Sequence, residues 1–160
     1  MTRCVKPCVA MVAVLLAACA GGAPVEPAAT ALSDPMGAPA LAELPTQQLA
    51  PGQCALVLWS RNTTAVRFAV TLDQPAVARV SVRGRVVELV RVAQSGQAIH
   101  GQFPDQHYRG EGISLGVSFV SGDVRQLTGG AVVSSAVVEY VDPAGWTSII
   151  PAVGLIACQA

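Results

Sequence analysis

A two-residue rhythm constrains this chain more than any other feature. Ile113, Leu115, Val117 and Phe119 alternate with Ser114, Gly116, Ser118 and Val120. Val66, Phe68, Val70 and Leu72 alternate with Arg67, Ala69 and Thr71, and Ala78, Val80 and Val82 oppose Arg79, Ser81 and Arg83 in the same way. Successive side chains of a strand point to opposite faces, so each apolar set predicts a core face and each intervening set a solvent face. Residues 55–59, 131–141 and 154–157 are apolar on both faces and predict central, well-covered strands. Turn formers separate the runs: Arg61-Asn62-Thr63, Arg83-Gly84, Gln94-Ser95-Gly96-Gln97, Ser121-Gly122-Asp123, Thr128-Gly129-Gly130 and Asp142-Pro143-Ala144-Gly145. Arg83-Gly84 fits a tight hairpin, where glycine takes a positive φ. No segment after residue 50 carries a sustained 3.6-residue stripe. The pattern predicts an all-β domain, a small antiparallel β-sandwich or β-barrel of about 7 to 9 short strands, and does not separate the two.

Size and charge narrow the field. The chain has 160 residues, 52% of them hydrophobic and 12% charged, which suits one domain with a core and argues against wholesale disorder. Ten basic residues balance ten acidic ones. Arg79, Arg83, Arg85 and Arg91 cluster without interleaved aromatics, so the sequence predicts a solvated hairpin edge and no nucleic-acid partner.

The amino terminus is different in kind. Arg3 and Lys6 precede an uncharged run at residues 9–18. Such a run spans about 15 Å as a helix, half of the roughly 30 Å bilayer core, so it reads as the core of an export signal and not as a permanent span. It ends in Leu16-Ala17-Ala18-Cys19. This tetrad resembles the lipobox of bacterial lipoproteins, in which an aliphatic and two small residues admit the chain to a signal peptidase and the cysteine receives diacylglycerol. Cys4 and Cys8 lack a preceding apolar core. The resemblance implies a signal peptide at 1–18, recognition through Leu16, Ala17 and Ala18, and lipidation of Cys19. Several acyl chains on one residue give stable anchoring, each buried CH₂ contributing about 0.8 kcal/mol. The lipid bilayer is then a partner through Cys19. Ala20 in place of an aspartate implies transfer to the outer membrane, with the domain facing the periplasm.

Residues 19–48 are predicted to be a disordered linker, because Pro24, Pro27, Pro35, Pro39 and Pro45 interrupt any regular structure. The β domain is expected at 49–160. An alternative has residues 41–49 docked on the domain as an arm. Cys54 and Cys158 lie in the first and last predicted strands, and an exported compartment permits a disulfide between them. Two buried free cysteines are the alternative. No metal site is expected, because these cysteines have no histidine at a suitable spacing along the chain. Leu44-Pro45, the stretch Leu49-Ala50-Pro51-Gly52-Gln53-Cys54 through Leu58-Trp59, and Val153-Gly154-Leu155-Ile156-Ala157-Cys158 also resemble uncharacterised alphaproteobacterial envelope proteins, a likeness that implies no activity.

Few residues suggest chemistry. Gly112-Ile113-Ser114-Leu115-Gly116 has the spacing of a nucleophile elbow, but its serine sits within an alternating strand and no helix follows. His100 and His107 flank Phe103, Asp105, Tyr108 and Arg109 in what reads as one polar loop, the first place to look for a binding surface. Glu88 and Glu139 read as solvent-facing or salt-bridged, and Asn62-Thr63-Thr64 as a turn. No zinc-protease helix, phosphate loop, dinucleotide fingerprint or haem motif is present, and no cofactor is implied. The expectation is a non-enzymatic lipoprotein with a structural or protein-binding domain and an unidentified envelope protein as partner. An inhibitor of an exogenous protease or lysozyme is the first alternative, and an enzyme using the His100–His107 loop the second.

Overall fold

Every strand edge carries amides and carbonyls that need partners, and the chain meets that need by closing its sheet. The computed structural model describes residues 41–61, 64–120 and 124–160. The leader, the Leu16–Cys19 tetrad, the linker up to residue 40, Asn62-Thr63 and Ser121-Gly122-Asp123 lie outside the described residues. The strands are β1 (Leu41–Ala42), β2 (Cys54–Ser60), β3 (Arg67–Leu72), β4 (Val77–Val82), β5 (Arg85–Ser95), β6 (Asp105–Gly110), β7 (Ile113–Phe119), β8 (Val124–Leu127), β9 (Gly130–Val141) and β10 (Thr147–Cys158). Antiparallel pairing runs β2–β3–β4–β5–β6–β7–β9–β10 and returns to β2, which closes an eight-stranded barrel. The other two strands are short additions, β1 on β4 and β8 on β9. No helix occurs among the described residues.

The barrel interior is packed with side chains, among them Leu58, Phe68, Val80, Leu89, Leu115 and Val138. Charged groups such as Glu88, Arg109 and Glu139 stand on the outer wall. This polarity is the reverse of a membrane barrel's. Six-residue strands such as β3, β4 and β6 also fall short of the roughly 9–11 residues that a spanning strand needs.

Two turns show why the strands close in this register. Arg83 (φ 52°) and Gly84 (φ 76°) form the two-residue β4–β5 turn, placing Val82 opposite Arg85 as the sequence suggests. Glu111 (φ 51°) and Gly112 (φ 76°) do the same between β6 and β7.

The 41–49 segment departs from the linker assigned to 19–48. Leu41 pairs with Val82 and packs into the lumen cluster, and from Leu44 onward the segment lies along the outside of the barrel with Leu44 buried. Leu44 N–H donates to the Arg67 carbonyl at 2.7 Å, and Arg67 Nε donates back to the Leu44 carbonyl at 2.9 Å. Leu44 and Leu49 cover Ala55, Val57, Val70 and Leu72 in a second apolar cluster outside the lumen. The arm therefore belongs to the domain, and its boundary at residue 49 moves back to at least residue 41.

The same arm corrects the reading of β3. Val70 and Leu72 belong to the outer cluster, whereas Phe68 and Ala69 belong to the lumen. A bulge opposite Leu58 and Trp59 puts the neighbours Phe68 and Ala69 on one side. A strand covered on both faces gives no unique inward set, so its alternation names the wrong face.

Candidate functional site

Chemistry-bearing residues gather at the end of the barrel where β3, β5, β7 and β10 finish. Cys54 opens β2, Cys158 closes β10, and the register sets them directly opposite each other. They form a disulfide that links positions 104 residues apart. Their amides bond elsewhere: Cys54 N–H to Asp73 Oδ1 at 3.1 Å and Cys158 N–H to the Gly129 carbonyl at 2.9 Å.

The segment 96–104 joins β5 to β6 and folds over this end. Ile99 and Gln102 exchange backbone hydrogen bonds of 2.8 and 3.0 Å around a tip made of His100 (φ 48°) and Gly101 (φ 76°). This is the backbone of a tight hairpin turn, with histidine where asparagine is commoner. A Cβ on Gly101 would lie 2.8 Å from Asp73 Cβ, so only glycine lets the tip approach this closely. Asp73 in turn holds the Cys54 amide, and the imidazole comes to rest beside the disulfide. Both sulfurs and a ring nitrogen of His100 lie within 4.8 Å of one another. The His100 Nε2 is 3.2 Å from Gln126 Oε1 on β8. Gln97, Ala98, Ile99, His100 and Gln126 border an open depression of about 450 Å³.

Gln102 turns the other way and closes the lumen. It is fully buried, and its Oε1 accepts from Thr71 Oγ1 at 2.6 Å and from Gln106 Nε2 at 3.4 Å. Tyr108 and Arg91 both donate to Gln106 Oε1, at 2.6 and 3.1 Å. Gln102 Nε2 has no partner among the described residues. Burial pushes the Tyr108 hydroxyl above its ordinary pKa, while Thr71 and Arg91 pull against that shift.

The six residues read as one polar loop separate into three places. His100 sits at the rim by the disulfide. Phe103 lies under the Arg91 guanidinium, 5.3 Å from ring centroid to Cζ. The remaining four are on β6, where alternation buries Tyr108 and turns His107 and Arg109 outward. Asp105 accepts from Ser118 Oγ at 3.1 Å and Ser95 Oγ at 3.3 Å, and lies 3.4 Å from His107 Nε2. Ser114 lies on β7 opposite Arg109 and Val141, without the strand-to-helix turn of a nucleophile elbow. Glu88 pairs with Arg79 at 3.0 Å across the β4–β5 ladder, and Glu139 is exposed.

Sequence spacing missed the neighbours of His100. Cys54 and Cys158 are distant from it along the chain and adjacent to it in space. The one local signal was His100-Gly101, a dipeptide of hairpin-turn type. Comparison with protein-family models, with curated proteins and with solved structures finds no match to this chain.

Proposed function

We propose that this chain is a lipid-anchored envelope lipoprotein, held at the inner leaflet of the outer membrane, whose β domain does non-enzymatic structural or protein-binding work in the periplasm. The observation that carries this reading is Leu16-Ala17-Ala18-Cys19 at the end of a short apolar run. The Cys54–Cys158 disulfide supports it, since such bridges persist in oxidising compartments. The filled lumen, closed by Gln102, supports a scaffold over a ligand carrier. On the outer wall, Asp105 also accepts from Ser95 and Ser118, and both Asp105 and His107 are about half exposed, which favours a surface ion pair over an acid–base site. Residues 41–49 lie along the barrel, so the inhibitor reading gains nothing from that segment.

Fractionation tests the proposal. Wild-type chain should sediment with the outer membrane and resist a carbonate wash, and Cys19→Ala should be recovered unprocessed or soluble. A Cys19→Ala chain that stays with the washed outer membrane would contradict the lipid anchor. Cross-linking of the tagged wild type in cells should capture an envelope protein that Cys19→Ala does not, and equal recovery by both would contradict the binding role.

A further inference from the structure

We propose that Cys54, Cys158 and His100 form a site for one thiophilic d¹⁰ metal ion, zinc(II) or copper(I), when the disulfide is reduced. This goes beyond membrane anchoring and does not depend on it. In the oxidised form the two sulfurs are spent on each other. Three features make the reduced form a built site.

The donors are already assembled, with both sulfurs and an imidazole nitrogen within 4.8 Å of one another. Bonds of about 2.3 Å to sulfur and about 2.0 Å to nitrogen place tetrahedral ligand atoms roughly 3.5–3.8 Å apart, which rotation about the cysteine side chains can supply. Second, the assembly does not rest on the S–S bond. Sheet register from Ala152↔Ser60 to Ala157↔Ala55 keeps the cysteines opposite each other. His100 is fixed by the Ile99–Gln102 bonds, by Gln102 on Thr71 and by Gly101 against Asp73. Third, the histidine is oriented. His100 Nε2 lies 3.2 Å from Gln126 Oε1, and in the tautomer that donates to this oxygen Nδ1 keeps its lone pair. A carbonyl holding the second nitrogen is the usual support of a metal-bound histidine.

Two thiolates and an imidazole select soft and borderline ions over magnesium or calcium. A dithiol supplies the reduction: two electrons and two protons pass to the S–S bond, and the dithiol becomes a disulfide. Binding then breaks two S–H bonds and forms two metal–sulfur bonds and one metal–nitrogen bond, releasing two protons. Three protein ligands leave one position open toward the depression beside His100.

The test uses the mature lipoprotein in detergent, oxidised or reduced with a phosphine that is then removed. Zinc(II) alone, and copper(I) supplied from a chromophoric chelator, are titrated in separate arms, with far-ultraviolet circular dichroism recorded on the same samples. One ion per chain, bound at least about 100-fold more tightly by the reduced than the oxidised protein in either arm, supports the site. His100→Gln, an exposed position, should then weaken binding by about 10-fold or more with the circular dichroism unchanged. Cobalt(II) in the reduced wild type should give thiolate charge-transfer and tetrahedral visible bands. Equal binding by both redox forms, undiminished affinity in His100→Gln, or loss of the strand signal on reduction would each overturn the proposal.

Discussion

The two ends of the barrel join antiparallel strands in different ways. At one end, β4–β5 and β6–β7 turn on Arg83-Gly84 and Glu111-Gly112, two residues each. Asp142 Oδ1 caps the β9–β10 turn there by accepting from the Ala144 and Trp146 amides at 2.9 and 2.8 Å. At the other end, residues 73–76, residues 96–104 and the stretch from β7 to β9 that carries β8 make the connections. A minimal turn satisfies its own backbone and leaves little to place elsewhere. A longer segment must find partners for its polar groups, and 96–104 finds them by sending Gln102 into the lumen and His100 to the disulfide. Distinctive chemistry therefore collects at the end that residues 96–104 fold over, while the other end bears the exposed ion pair Arg85–Glu111.

If the contrast is real, substitutions should hurt in order of end. The largest loss is expected from Cys54→Ser with Cys158→Ser. Removing a crosslink across 104 residues costs up to about 4.7 kcal/mol in the chain-entropy picture, and denaturant unfolding should show a much lower midpoint. A midpoint close to wild type would mean that the bridge adds little to global stability. Gln102→Ala should follow, at about 2 kcal/mol, because it opens a void and strands the Thr71 hydroxyl. Stability unchanged by that variant would remove the lumen plug from the account.

The two tyrosines offer a comparison without mutation. Tyr108 belongs to the Gln102 network, and Tyr140 lies toward the turn end near Asp142 and Arg83. Burial raises both hydroxyls above the ordinary value of about 10, and Asp142 raises Tyr140 further. A pKa raised in the folded state means stability that is whole below pH 10 or so and declines as pH rises through the folded values. Tyrosinate absorbance should therefore lag behind that of a free tyrosine and appear together with alkaline unfolding. Ionisation near pH 10 in folded protein would show that the rings are not buried as described.

The smallest effect belongs to Glu111→Gln. The Arg85 guanidinium, hydrogen-bonded to Glu111, holds its carboxyl below the ordinary range. The contribution is present above the unfolded pKa of about 4.3 and is lost as pH falls through the lower folded value. Both groups are exposed, so wild type and variant should differ in Tm slightly at neutral pH, less at high salt, and not at all in strong acid. A large difference that survives high salt would blur the contrast between the ends.

Much of the fold was legible because its rules are local. Alternation in residues 113–119 named the inward set of β7, and Arg83-Gly84 named a hairpin. β3 was misread because the arm covering Val70 and Leu72 comes from a proline-containing stretch that reads as linker. The site was least legible. Its three donors come from the first strand, the last strand and a mid-chain turn, and only barrel closure brings them together. The residues around His107 read as a loop because charge and aromatics masked a six-residue strand.

The mass of the mature protein tests the account most directly. Export, anchoring and bridging together predict a chain beginning at Cys19 that carries acyl chains, with Cys54 and Cys158 shielded from alkylation until a reductant is added. A chain that begins elsewhere, or Cys19 without lipid, would contradict the account.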